Sequence, residues 1–451
     1  MFLWADSDEP IEVGALKIAK IGMVTPDGPA GISTPIETSF TVLSEQYVSV
    51  GQDSSYYENL VDLLGVEGAG DVLGSLQDLA YRPHRLDEVL DSAVVSESLL
   101  RYLGTSMIRE QFNRILYGED AQVKSFELKY QYLGLDENRK EAVSFHVERE
   151  SSPPTNIHVL IGSNGAGKSR ALRDMRAFFD QDEPFESPRA YLSMSDGTEI
   201  AGVVSVSFSA FDQEPATSTR TPKNPRYTVA DVRYDSERHL GEQFREALSG
   251  CVDSGPDRLK RLQGALAFLE SDPLLWSAIS ANSKRPLARL DFDALSSGHK
   301  IVLLTIVNLV RLVDEKCLVL LDEPETHLHP PLLAALIRAI SWLLTDRNGV
   351  AIVATHSPVV LQEVPKGCAW KITRSGLNSR IDQIADETFG ENVGVLTQDV
   401  FRLELSRSGY YKLLTEAAAA SATYQEALAR LGGSLGEEAS LILRGLVSGN
   451  S

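Results

Sequence analysis

The chain has 451 residues, 43% apolar and 24% charged, enough to bury a sizeable core in one large globular domain or in two or three smaller ones. Its formal net charge of −20 argues against nonspecific binding of a nucleic-acid backbone and leaves nucleic acid only an indirect role or a local patch. Three scattered cysteines, Cys251, Cys317 and Cys368, exclude a disulfide framework or a CxxC metal site, no apolar run reaches the roughly 18 residues of a membrane span, and the acidic start after Trp4 has the wrong sign for a signal peptide, so a cytoplasmic protein without a membrane partner is expected.

In chain order, residues 12–50 read as β-rich, with Val, Ile and Thr among Gly and Pro. Residues 55–117 change to helical spacing of leucines, including Leu60, Leu63, Leu64, Leu76 and Leu79. Residues 1–120 are thus expected to form an accessory α/β module with a scaffold or partner role. Strands are predicted at 125–132, 142–148 and 157–161, a helix over 168–179, and a strand at 203–209. Residues 228–285 read as mainly helical. Helix, strand, helix and strand then follow at 301–313, 318–321, 331–344 and 350–354. That alternation implies βαβ units around a mainly parallel sheet. The fold class is therefore α/β, with one domain over 121–395, a helical insertion at about 228–290, and a C-terminal helical region over 396–451.

The sequence G-S-N-G-A-G-K-S occupies residues 162–169 (Gly162, Ser163, Asn164, Gly165, Ala166, Gly167, Lys168 and Ser169) between a predicted strand and a predicted helix. This is the GxxxxGK[ST] phosphate-binding loop of ATP-binding domains. Its glycines allow backbone N–H groups to approach a β-phosphate at a helix N-terminus. Lys168 can bridge the β- and γ-phosphates, and the Ser169 hydroxyl can ligate Mg²⁺. A chance match in a chain of this length arises at a rate on the order of 1–2% from average residue frequencies, and the flanking strand and helix lower it further.

A second element is the apolar stretch at 318–321, which ends in Asp322 and Glu323. A buried strand would deliver Asp322 to the carboxyl edge of the sheet, where it can hold Mg²⁺. Glu323 would then polarise the attacking water. A third is L-S-S-G-H-K at 295–300, just before an apolar helix. Small residues at a helix N-terminus can approach a phosphate closely.

Here the chain resembles ATP-binding-cassette ATPases, whose signature loop (L-S-G-G-Q in transporters) takes this place. The resemblance implies that Ser296, Ser297 and Gly298 bind the γ-phosphate held by the opposite subunit of a head-to-tail dimer or higher even oligomer. D-E-P-E-T-H-L-H-P at 322–330 and A-T-H-S-P at 354–358 narrow the likeness to the overcoming-lysogenization-defect (OLD) group. In that resemblance His356 is the switch histidine on the γ-phosphate, and Gln213 is the Q-loop glutamine near Mg²⁺ and the water. His327 and His329 belong to the D-loop at the dimer seam, where turn capping or an interface role outweighs metal binding. His299 caps or packs. Tyr130 and Tyr132 are candidates to stack on adenine.

Full-length OLD nucleases carry a Toprim domain with a D-x-D pair. The 95 residues after His356 contain no D-x-D, so no intrinsic nuclease is expected. The resemblance implies an ATP-hydrolysing switch subunit that regulates a separate effector, an HNH or other nuclease, as in Septu-type antiphage pairs. An SMC-like DNA-repair or chromosome-maintenance ATPase is the alternative, although residues 228–290 are too short for its coiled coil. A transporter nucleotide-binding subunit and a binding-only pseudo-ATPase rank below these.

Overall fold

The computed structural model describes residues 1–3, 10–23, 34–100, 103, 105, 107–117, 125–133, 140–148, 151–180, 190–194, 200, 202–208, 228–233, 237–253, 256–280, 287, 290–313, 316–375, 378–405 and 409–449.

The N-terminal part begins with the antiparallel pair β1 (Phe2–Leu3) and β2 (Ile11–Glu12). A second antiparallel pair, β3 (Leu16–Lys20) and β4 (Tyr47–Gly51), places Ile18 opposite Ser49. Helix α1 (Ser54–Ser75) starts where the Asp53 side chain accepts from the Tyr56 N–H, which satisfies one of the free donors of a helix start. It breaks at Gly65, whose φ of 69° is left-handed. Leu60 is in the core, whereas Leu63 and Leu64, just before the break, are exposed. Short helices α2 (His84–Val89) and α3 (Asn113–Tyr117) close this part over Tyr56, Tyr57, Leu73, Leu86 and Phe112. At its centre Asp78 is completely buried. Its carboxylate accepts from the Ala80 N–H at 2.8 Å and from the Tyr57 hydroxyl at 3.2 Å. Burial pushes that carboxyl up to about 7.

The middle of the chain builds the nucleotide fold. Strands β5 (Phe126–Leu133) and β6 (Lys140–Val147) pair antiparallel. Next come β7 (Ile157–Ile161), α4 (Lys168–Ala177) and β8 (Ala190–Met194), and β8 adds to the other edge of β5. Strands β9 (Gly202–Ser207) and β10 (Thr228–Arg233) are parallel. The expectation of helix from residue 228 is corrected here: Thr228, Val229 and Val232 are β-branched and extend the sheet edge, and helix begins only at Glu237. Helices α5 (Glu237–Asp253), α6 (Pro256–Ala267) and α7 (Pro273–Ser280) follow.

Then come α8 (Ser297–Leu312), β11 (Cys317–Asp322), α9 (Pro330–Asp346), β12 (Val350–Thr355), α10 (Pro358–Leu361), and the hairpin β13 (Ala369–Ser375) and β14 (Asn378–Gln383). The seven-stranded sheet runs β10-β9-β11-β12-β7-β13-β14. Every pairing in it is parallel except β13 with β14. Strands β7, β11 and β12 are buried on both faces, as a parallel sheet requires. One face packs on α5, α6, α8 and α9 through Ile157, Val159, Val319, Leu321 and Val353. The other packs on α4 and the antiparallel β5–β6–β8 layer through Leu160, Leu320 and Ile352. Beyond the sheet, α11 (Val393–Leu405) leads to α12 (Gly409–Ala419), α13 (Tyr424–Arg430) and α14 (Glu437–Gly449). The last three share a small core of their own around Leu414, Ala427 and Leu443.

Candidate nucleotide site

Three neighbouring parallel strands fix the site. Asp322 at the end of β11 lies opposite Ala354 in β12, and Ala354 lies opposite Leu160 in β7. One row further on, Thr355 faces Ile161. The chain therefore leaves the three strands side by side, delivering Glu323, His356 and Gly162 to one carboxyl edge. That edge is where open α/β sheets bind ligands.

The glycine loop follows from its neighbours. A Cβ on Gly162 would lie 2.3 Å from the Ile372 carbonyl oxygen of β13, so no other residue fits there. Gly167, with φ 109°, turns the chain into α4 and leaves the first helical N–H groups facing outward. Lys168 is only 4% exposed, and its ammonium is fully directed. It donates to the Gly162 and Ser163 carbonyls at 2.9 and 3.1 Å and approaches His356 Nε2 at 2.7 Å. A phosphate entering the loop would exchange with these acceptors for the same three donors.

The Ser169 hydroxyl donates to Asp322 Oδ1 at 3.1 Å. A hydroxyl beside a carboxylate is a set of hard oxygen donors, which fits Mg²⁺. Ser169 and Asp322 would hold the ion, and its charge would neutralise phosphate oxygens. Glu323 takes a left-handed φ of 50°, uncommon for a residue with a Cβ. Its N–H is tied to the Ala354 carbonyl at 2.8 Å. This conformation brings its carboxylate to 3.5 Å from His356 Nε2, and 38% of the side chain is exposed, within reach of a water. Lys168, Ser169, Asp322, Glu323 and His356 thus form one connected group.

Two contributors were not singled out in the sequence. Glu325 accepts from the Thr355 hydroxyl at 2.7 Å through one oxygen and from the His356 N–H at 2.6 Å through the other. It holds the backbone from which His356 projects. Its signal lay in the second acid of D-E-P-E. Arg374, from β13, donates to the Gly165 carbonyl at 3.0 Å, 209 positions away in sequence. No local pattern could reveal that contact.

The signature segment is wired elsewhere. Ser296 caps α8, and its Oγ lies 3.1 Å from His299 Nδ1. A Cβ on Gly298 would meet the His327 carbonyl oxygen at 2.8 Å, so the signature turn lies against the D-loop backbone. Ser297 opens the helix and is exposed. Among the described residues, no hydrogen bond joins Ser296, Ser297 or Gly298 to the glycine loop of the same chain. His329 caps α9, its Nδ1 accepting from the Leu332 N–H at 3.3 Å. Gln213 lies outside the described residues. The stacking expectation for Tyr130 and Tyr132 is corrected: both rings are buried, stacked on each other with centroids 5.6 Å apart, and packed in the core.

A glycine loop between β7 and α4, an acid pair ending β11, and a histidine following β12 define a P-loop ATPase head of the ATP-binding-cassette type. Residues 207–362 match a protein-family model described as "AAA domain, putative AbiEii toxin, Type IV TA system". The match takes in the signature segment, both acids and His356, and begins after the glycine loop. The chain belongs to the family of protein ea59 of Escherichia phage lambda, to which it is 37% identical over 492 aligned positions, covering 99% of this chain and 92% of that protein. Among solved structures, an ATP-binding cassette of an ABC transporter in its ADP conformation aligns at 17% identity, covering 62% of this chain and 98% of its own, with a TM-score of 0.34. The SMC head domain from Thermotoga maritima aligns at 13% identity, covering 58% of this chain and all of its own (100%), with a TM-score of 0.32. No helix among the described residues is long and apolar enough to cross a membrane.

Proposed function

We propose that this ATPase is a switch subunit whose heads close in pairs on Mg²⁺-ATP and reopen on hydrolysis, and that it regulates a separate effector, a nuclease. The observation that carries the reading is the division of the site. The connected group from Lys168 to His356 can hold and hydrolyse a nucleotide, while Ser296, Ser297 and Gly298, at the N-terminus of α8, make no hydrogen bond to it among the described residues. A second copy placed head to tail supplies the missing side of the phosphate.

Within this scheme Lys168 and the loop N–H groups bind the β- and γ-phosphates. Glu323 accepts a proton from the attacking water, and His356 carries a hydrogen bond to the γ-phosphate. The likeness of residues 322–330 and 354–358 to the OLD group supports an OLD-like switch. The toxin–antitoxin description of the matched family supports a part in conflict between phages and bacteria, antiphage defence included. The test is particle mass by light scattering with and without ATP for Glu323→Gln protein. A doubling of mass with ATP and Mg²⁺ is expected, and a mass that ignores ATP would overturn the paired-head reading. Co-purification of a nuclease from the native host is the matching test of the effector.

A further inference from the structure

Asp272 stands at the start of α7 and uses both carboxylate oxygens. Oδ1 accepts from the Leu274 and Leu275 N–H groups at 3.0 and 3.1 Å, and Oδ2 lies 2.8 Å from His299 Nε2. The side chains of His299 and Asp272 are 15% and 16% exposed. On its other side the imidazole meets the signature serine, with Nδ1 3.1 Å from Ser296 Oγ. The same oxygen accepts the His299 backbone N–H at 3.4 Å. Asp272, 27 positions before His299, is therefore joined through the imidazole in one chain of hydrogen bonds ending on the signature hydroxyl, three residues before the histidine.

Donor and acceptor roles follow from chemistry. An ionised carboxylate only accepts, so His299 Nε2 carries a hydrogen. In the neutral ring Nδ1 then accepts, and the Ser296 hydrogen is committed to it. The serine shows an incoming phosphate only a lone pair. With a second proton on the ring, Nδ1–H donates to Oγ and the serine hydrogen is released toward the phosphate. Among the described residues the groups beside the imidazole are Asp272, Ser296 and His329, and one side-chain atom each of Asp272, His299 and His329 lie within 4.8 Å of one another. Two histidines and an aspartate could suggest a metal. His329 counts against it, because its Nδ1 lone pair is already engaged by the Leu332 N–H.

We propose that Asp272 and His299 are positioning residues for Ser296, a relay that decides whether the signature hydroxyl can donate to the ATP phosphate of a second copy. This rests on the paired-head reading above. The test uses full-length Glu323→Gln protein, with the ATP concentration at half-maximal pairing read by light scattering. His299→Ala removes the ring N–H that turns the serine hydrogen toward the phosphate, and is expected to raise that concentration about tenfold, as the loss of one hydrogen bond to a charged group would. Ser296→Ala should do the same, and the double variant should be no worse than either single one, because the histidine acts through the serine. His299→Gln, whose amide must donate to Asp272 and so offers Ser296 only an acceptor, should hold the serine hydrogen as the neutral ring does and recover none of the loss.

Additive effects, or a His299→Ala protein that pairs like its parent, would overturn the relay while leaving pairing intact. A parent that stays single with ATP would remove both. If 1,10-phenanthroline in excess Mg²⁺ reproduced the His299→Ala effect, the cluster would be a transition-metal site and the relay would be wrong.

Discussion

The nucleotide head and the N-terminal part both contain acids held by hydrogen bonds, but they place them differently. Asp322, Glu323 and Glu325 sit at or just beyond a strand end, where the sheet stops and solvent begins. Asp78 is sealed inside a core of tyrosines and leucines, answered by two backbone N–H groups and one phenol. The first arrangement keeps charges partly wet and available to a substrate. The second holds a loop in place and makes the carboxyl hard to ionise. A polar cluster in this molecule can thus be sorted by whether its environment leaves room for another reactant.

That contrast can be broken most strongly at Glu323. Glu323→Gln should lower ATP turnover on the order of 10³-fold, within the range for loss of a general base, with an unchanged melting temperature. Turnover at the parent rate would remove the assigned chemistry. Lys168→Ala should follow, with steady-state turnover down about 10²-fold and weaker nucleotide binding by titration. Glu325→Gln keeps the shape but alters the hold on His356. It should lower kcat by about tenfold with little change in KM, and an unchanged kcat would demote Glu325 to a structural tie.

The N-terminal part should answer in stability instead. The folded-state carboxyl of Asp78, at about 7, titrates above its unfolded value, so the parent loses stability as the pH rises from about 4 through 7. Asp78→Asn retains an acceptor for the backbone and should raise the melting temperature at pH 8 by about 2–4 °C without touching turnover. His158 shows the opposite slope. Buried in β7 against Phe145, it is pushed down to about 3, so stability is lost as the pH falls below about 6.5. His158→Leu should reduce the stability difference between pH 7 and pH 5 by about 1–2 kcal/mol, measured by denaturant titration.

Much of the head was legible because its strands are short, apolar and followed by chemistry. The acid pair after 318–321 and the histidine after 350–354 each mark a strand end. The parallel sheet follows from the alternation of elements around them. What stayed hidden depends on contacts across the sheet. The hairpin β13–β14 carries the Ile372 carbonyl that forces Gly162 to be glycine, yet its own sequence is polar and unremarked. The strand β10 was absorbed into a helical reading because the charged helix beginning at Glu237 follows it so closely. Leu63 and Leu64 fit a helical stripe with Leu60, yet both are exposed in the turn that ends at the left-handed Gly65. The relay from Asp272 to Ser296 spans a loop and two helix starts, which no spacing rule connects.

Glu325 bears on timing as well as placement. One of its oxygens holds the Thr355 hydroxyl and the other the His356 N–H, while its backbone belongs to the D-loop turn that touches Gly298 through His327. A displacement of that turn by a neighbouring subunit would drag the switch histidine with it. The clock for phosphate cleavage would then start on arrival of the partner rather than on arrival of the nucleotide, which would let a cell store loaded, idle heads.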